Sequence, residues 1–156
     1  LNRNDDSTTD PSPREFLRDR VICRSLTVED KQELFERIAR QLSNGGKSES
    51  IRSALWERER LQNTYLENGI AFPHGLDDSI SETRLTVFLL EEAVDYTTDG
   101  KRADVVVATV GPPDNRQLHL DLIGTLAGGF NRDELLNELK TASDPDGLLR
   151  DQLGID

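Results

Sequence analysis

Cysteine occurs once in these 156 residues, methionine not at all, and histidine only at His74 and His119. The lone Cys23 excludes an internal disulfide framework and suits a reducing compartment. Two histidines and one cysteine are too few for a zinc cage, and their spacing fits no metal-ligand pattern. Long apolar runs are missing as well: the longest are short stretches such as residues 105–108, so no segment of this chain is expected to enter a membrane. No basic segment followed by an apolar stretch stands near Leu1, so no secretory signal is expected. Basic residues are in the minority, 19 against 30 acidic ones, and the net charge of −11 argues against general nucleic-acid binding, which needs cations for the phosphates. Walker loops, G-x-G-x-x-G fingerprints and G-x-S-x-G elbows are all absent, which removes the familiar nucleotide cradles and serine hydrolases. No cofactor is expected.

What is present has the size of one ordinary domain. Residues 1–13 are polar, hold two prolines and show no apolar period, which reads as a linker or tail; residues 14–156 form the expected domain. From Val28 the apolar positions Leu34, Phe35, Ile38, Ala39 and Leu42 form a helical stripe, with Thr27 as expected N-cap and Gly45-Gly46 as stop. A second helix is expected over 48–61. The period then changes. Residues 85–90 (LTVFLL) and 105–110 (VVVATV) are β-branched and nearly continuous in apolar character, as in strands buried on both faces, with Asp99-Gly100 as the turn between them. Helices are expected again over 116–127, 132–141 and 146–153. The resulting fold class is α/β, a small mixed sheet sandwiched by helices on both faces.

One tripeptide stands out after elimination. Pro73-His74-Gly75 follows the short apolar stretch 70–72, so a strand is expected to carry His74 out to its end, with Gly75 letting the backbone turn away. An imidazole anchored on one side and accessible on the other is what a nucleophilic histidine requires. Taken alone, the tripeptide reads more readily as a turn histidine with no role.

Its surroundings change the balance. Arg58-Glu59, Asn63-Thr64 and the ending Asn68-Gly69-Ile70-Ala71-Phe72-Pro73-His74-Gly75 resemble the signature of the fructose/mannitol-type (type 2) IIA domains of the bacterial phosphoenolpyruvate-dependent phosphotransferase system, including their nitrogen-regulatory relatives. The resemblance runs over about residues 16–153. It implies a cytoplasmic phosphotransferase that takes a phosphoryl group on His74 from a phosphohistidine carrier of the HPr kind. The group then passes to a IIB domain or serves regulation. It further implies that Arg58, Thr64 and Asn63 bind the phosphoryl group and that no metal is needed. With no methionine and a polar leader, the chain is expected to be cut from a longer polypeptide, with a membrane transporter or channel as one candidate parent, a setting in which many IIA-like domains occur.

His119 has two readings. Leu122, Ile123 and Leu126 follow at helical spacing, which suits a core histidine. The family keeps a histidine near the phosphoryl acceptor, so the resemblance instead implies that His119 orients His74 or supports the transition state. Departures from the family pattern are Asn63 for serine, and Tyr65 and Glu67 for glycine; a bulky Tyr65 is expected to narrow the site or alter partner choice. They motivate the alternative of a IIA-like regulatory or binding module without transfer. A two-histidine metal site is a third, weaker reading. Cys23 is expected to be structural, just before the first helix. The acidic groups Asp77-Asp78, Glu91-Glu92 and 144–146 are expected on a solvated surface, or as an electrostatic face for a basic carrier.

Overall fold

The computed structural model describes residues 23–43, 48–66, 69–115, 117, 120, 121, 124, 138, 139 and 141–148. The β-branched runs form an antiparallel hairpin, β4 (Arg84–Asp95) against β5 (Arg102–Gly111), with Val87 opposite Val107 and Phe88 opposite Val106. Its turn holds Gly100 at φ +87°, a backbone conformation that costs glycine nothing and other residues a good deal. Thr97 and Asp99 bond to each other in the same turn. Between Leu89 and Val94 the register shifts, and Glu91 and Glu92 stand exposed there, as expected for solvated charges.

Parallel strands flank the hairpin. β1 (Cys23–Leu26) lies along β4, while β2 (Ile70–Ala71) and β3 (His74–Leu76) lie along β5. The sheet order is therefore β1, β4, β5, then β2 and β3 sharing the far edge. Cys23 sits on β1 rather than directly ahead of a helix, and its backbone N–H donates to Asp146 at 2.5 Å. Asp146 is thus tied to the sheet rather than standing free in solvent. This mixed sheet matches the expected class.

Helix α1 (Lys31–Ser43) buries Leu34, Phe35, Ile38, Ala39 and Leu42, the stripe read from the sequence. It starts later than expected. Asp30, not Thr27, is the N-cap: its carboxylate accepts from the Glu33 N–H at 2.8 Å, and the Glu33 carboxylate accepts from the Glu29 N–H at 2.8 Å. Aspartate wins because its short side chain reaches the orphan donor of the first turn. At the other end Arg84 donates to the Leu42 carbonyl at 2.7 Å, satisfying an acceptor the helix cannot. Helix α2 (Ser48–Leu61) has the expected bounds and packs against α1 through Phe35 and Trp56, whose rings lie 4.3 Å apart.

Alternate residues of the hairpin face these helices. Phe88, Leu90, Val106, Ala108 and Val110 join the α1 and α2 side chains in one core. The other face is buried too, with Val87, Val105 and Val107 fully inaccessible. The helices expected over 116–153 fall largely outside the described residues; 117, 120, 121, 124, 138, 139, 141 and 145–148 are helical. Asp77 corrects an expectation of solvated charge. It is buried and accepts from Ser50 Oγ at 2.6 Å, Ser79 Oγ at 2.6 Å and the Ser79 N–H at 2.9 Å. A carboxylate with three donors within 2.9 Å no longer needs water.

Candidate functional site

The edge strand beside β5 is broken by Phe72 and Pro73, then resumes in unchanged register: Ile70 faces Val105 and His74 faces Thr109. Proline removes one backbone donor, yet its carbonyl still accepts from the Thr109 N–H at 3.1 Å, so the chain stays straight across the gap. His74 therefore opens β3 rather than closing a strand. Gly75 also acts differently from expectation. A Cβ there would lie 2.9 Å from the carbonyl carbon and oxygen of Ala54, so glycine is required by the close approach of α2 and not by a turn. That approach brings the end of α2, with Arg58 and Glu59, up to the histidine.

On the outer side of β2 the chain doubles back. The Phe72 N–H donates to the Thr64 carbonyl at 2.9 Å and the Leu66 N–H to the Ile70 carbonyl at 2.9 Å. The Phe72 carbonyl meets His74 Nδ1 at 2.8 Å. A carbonyl only accepts, so Nδ1 carries the proton and Nε2 carries the ring's lone pair. Burial of the half-buried ring lowers the His74 pKa from 6.5. The bond to Phe72 opposes that shift, the positive charge of Arg58 reinforces it, and Glu59 opposes it. The ring is neutral at physiological pH, in one tautomer.

Behind it lies a buried polar cluster in which the sequence had marked Thr64 as a site residue and Glu59 as half of the Arg58-Glu59 pair, but neither Lys31 nor Tyr96. The Glu59 carboxylate accepts from Thr64 Oγ at 2.6 Å, the Thr64 N–H at 2.9 Å and Lys31 Nζ at 3.0 Å. Tyr96 Oη lies 2.7 Å from Thr64 Oγ and 3.3 Å from Glu59. Burial first, then the nearby Glu59 charge, raises the Tyr96 pKa well above 10.0, so the phenol stays protonated as a donor. Lys31 also donates to the Tyr96 carbonyl at 2.8 Å and sits 4.0 Å from the centre of its ring.

The expected phosphoryl-binding residues occupy different depths. Arg58 is half-buried at the end of α2 and donates through Nη1 to the Gln62 carbonyl at 2.7 Å, leaving the rest of its fork. Asn63 is exposed; its side-chain oxygen accepts from the Tyr65 N–H at 3.0 Å. Thr64 is buried with its hydroxyl in the Glu59 cluster. Tyr65 does not crowd His74. Its hydroxyl accepts from the Gly69 N–H at 2.9 Å and reaches the Arg102 carbonyl at 3.3 Å, at the start of β5, about 23 Å along the strand from Thr109. His119 lies outside the described residues, as does Glu67. Among the described residues no group of three or more His, Cys, Asp or Glu could hold a metal, and no helix is long and apolar enough to cross a membrane.

A neutral imidazole of fixed tautomer, with a guanidinium close by, can attack an electrophilic phosphorus and steady the charge it brings. Comparison with known proteins leads to a phosphotransferase family. Residues 15–150 match the family described as "Phosphoenolpyruvate-dependent sugar phosphotransferase system, EIIA 2". A nitrogen regulatory protein homolog of Haemophilus influenzae is 29% identical over 141 residues, covering 86% of this chain and 86% of that protein. The mannitol-specific phosphotransferase enzyme IIA component of Staphylococcus aureus is 28% identical over 131 residues, covering 81% and 87%. Among solved structures, nitrogen regulatory protein IIA-Ntr from Neisseria meningitidis superposes with a TM-score of 0.75 at 26% identity, over 88% of this chain and 94% of that one. IIA mannitol from Escherichia coli, at TM-score 0.69 and 22% identity over 86% and 95%, shares the fold.

Proposed function

The chain belongs to the EIIA 2 family of the phosphoenolpyruvate-dependent sugar phosphotransferase system, and within that family we propose that His74 is the phosphoryl acceptor and reacts through Nε2. The donor is a phosphohistidine on a small carrier protein of the HPr kind, in the cytoplasm. The Nε2 lone pair forms the new N–P bond as the donor's N–P bond breaks, and that electron pair returns to the donor ring. The Nδ1 proton stays on Phe72's side throughout. Onward transfer to a IIB domain, or retention as a regulatory mark, reverses the same step with a new acceptor.

The observation that carries this reading is the 2.8 Å contact between Nδ1 and the Phe72 carbonyl, which favours a proton on Nδ1 and supports Nε2 as the nucleophile. Arg58 offers its unengaged guanidinium nitrogens to the phosphoryl oxygens, and the Asn63 amide nitrogen adds a donor at the rim. Each charge-assisted bond contributes about 1.5–3 kcal/mol, enough to hold the group and few enough to release it. Thr64 acts at one remove: its hydroxyl is directed to Glu59, so it positions the segment alongside Phe72. His119 takes the supporting role the family resemblance assigns. Positioning and charge stabilisation are most of what phosphoryl transfer asks of a protein, and neither metal nor nucleotide enters the step.

Incubation with phosphoenolpyruvate, enzyme I and HPr tests the proposal by intact mass. A gain of one phosphoryl group, labile to acid and absent in His74→Ala, is expected. Failure to label from a carrier that is itself fully phosphorylated would favour a IIA-like docking module instead.

A further inference from the structure

At the opposite edge of the sheet from His74, three arginines converge on one cleft. It encloses about 360 Å³ between β1 and α1, with Arg24, Arg37 and Arg40 around Leu26 and Phe88 and Gln41 at its rim. The register explains the convergence. Arg24 pairs with Phe88, so its side chain stands on the sheet face that α1 covers. Arg37 and Arg40 lie three residues apart on α1 and share one flank of it. Leu26 and Phe88 are 7% and 4% exposed, which gives the cleft an apolar floor beneath cationic walls.

None of the three guanidiniums lies within salt-bridge distance of a carboxylate among the described residues, whose ion pairs are Lys31–Glu59, Arg52–Glu49 and Arg102–Asp95. Among the described residues, three cations stand together with no carboxylate within 4 Å, in a chain with 30 acidic and 19 basic residues. Arg37 and Arg40 repel each other at this spacing, Glu33 and Glu36 four residues before them offset part of that repulsion, and a bound anion offsets more of it. Planar guanidinium forks match phosphate oxygens two at a time. The volume lies in the range of small-molecule sites, about 300–1,000 Å³.

We propose that this cleft binds a small phosphorylated metabolite carrying two or more negative charges, at a site separate from His74. The two edges of the sheet are three strand spacings apart, about 14 Å, so one small ligand does not bridge them. The proposal stands whether or not His74 carries a phosphoryl group.

Inorganic pyrophosphate titrated into the whole chain, with sodium chloride matching the ionic strength, provides the test. Saturable one-site binding is expected, with amide shifts concentrated in β1 and around residues 37–41. Arg37→Ala/Arg40→Ala and, separately, Arg24→Gln should each weaken binding by about tenfold or more, while Arg60→Ala, an exposed arginine elsewhere on α2, should bind as the parent does. Absence of saturation, equal affinity in the cleft variants, or shifts centred on His74 would each overturn the proposal. Tighter binding of a poly-glutamate peptide than of pyrophosphate would overturn the ligand class in favour of an acidic protein partner.

Discussion

At the scale of single residues, the protonation of His74 and the carboxylate behind it matter most. Burial lowers the His74 pKa below 6.5, so the folded ring stays neutral at pH values where a free histidine has begun to charge. The acid limb of the labelling rate should therefore fall below pH 6.5, measured as initial rate against pH with a carrier already phosphorylated. Stability follows the same sign. Below pH 6.5 the unfolded chain binds more protons at this position than the folded one, so this residue's contribution to stability falls as pH drops from 6.5 through the folded pKa. His74→Gln should flatten that part of the stability–pH curve while leaving the neutral region nearly unchanged. Glu59 gives a separate test. Its side chain is 3% exposed and Lys31 is its ion-pair partner, so Lys31→Ala strands a buried charge. Denaturant unfolding should show a loss of about 3–5 kcal/mol.

At the scale of elements, the site depends on how closely α2 approaches β3. Gly75→Ala places a methyl 2.9 Å from the Ala54 backbone and must push the helix away. A stability loss of about 1–3 kcal/mol is expected, together with slower labelling of His74, because Arg58 and Glu59 move with α2. Much of this layer was legible beforehand. The bounds of α2, the apolar stripe of α1 and the two central strands follow from period and β-branching, which are local properties of the chain. The N-cap at Asp30 is a local choice between two capping side chains, Thr27 and Asp30, that composition alone does not rank. The burial of Asp77 and the true reason for Gly75 did not follow, because each is decided by a contact with α2, distant in sequence. The same holds for the cluster behind the histidine. Lys31, Glu59 and Tyr96 come from α1, the end of α2 and the residue just after β4, and no spacing rule joins them. Glu59 was visible as one half of Arg58-Glu59, but its partners were not. His74 and Arg58 could be singled out as candidates because they lie in one short, distinctive stretch.

At the scale of the whole molecule, the charge of −11 shapes encounters more than it shapes the fold. Asp78, Glu91, Glu92 and Asp99 are exposed and give the surface a negative field. A carrier with a basic docking face would be steered by that field. Raising salt from about 0.01 M to about 1 M shortens the Debye length from about 30 Å to about 3 Å. The second-order rate of phosphorylation from such a carrier should then fall at least about tenfold, while the rate within a preformed complex changes little. A flat salt profile would mean that the acidic surface plays no part in docking.

The most direct test of the central claim is the position of the phosphoryl group on the ring. Long-range proton–nitrogen correlation spectra of the phosphorylated protein, labelled with 15N at histidine, distinguish the two nitrogens. Phosphorus on Nε2 of His74, with the proton retained on Nδ1, is the expected result, in line with the Nδ1 contact to the Phe72 carbonyl. Phosphorus on Nδ1, or on any residue other than His74, would contradict it.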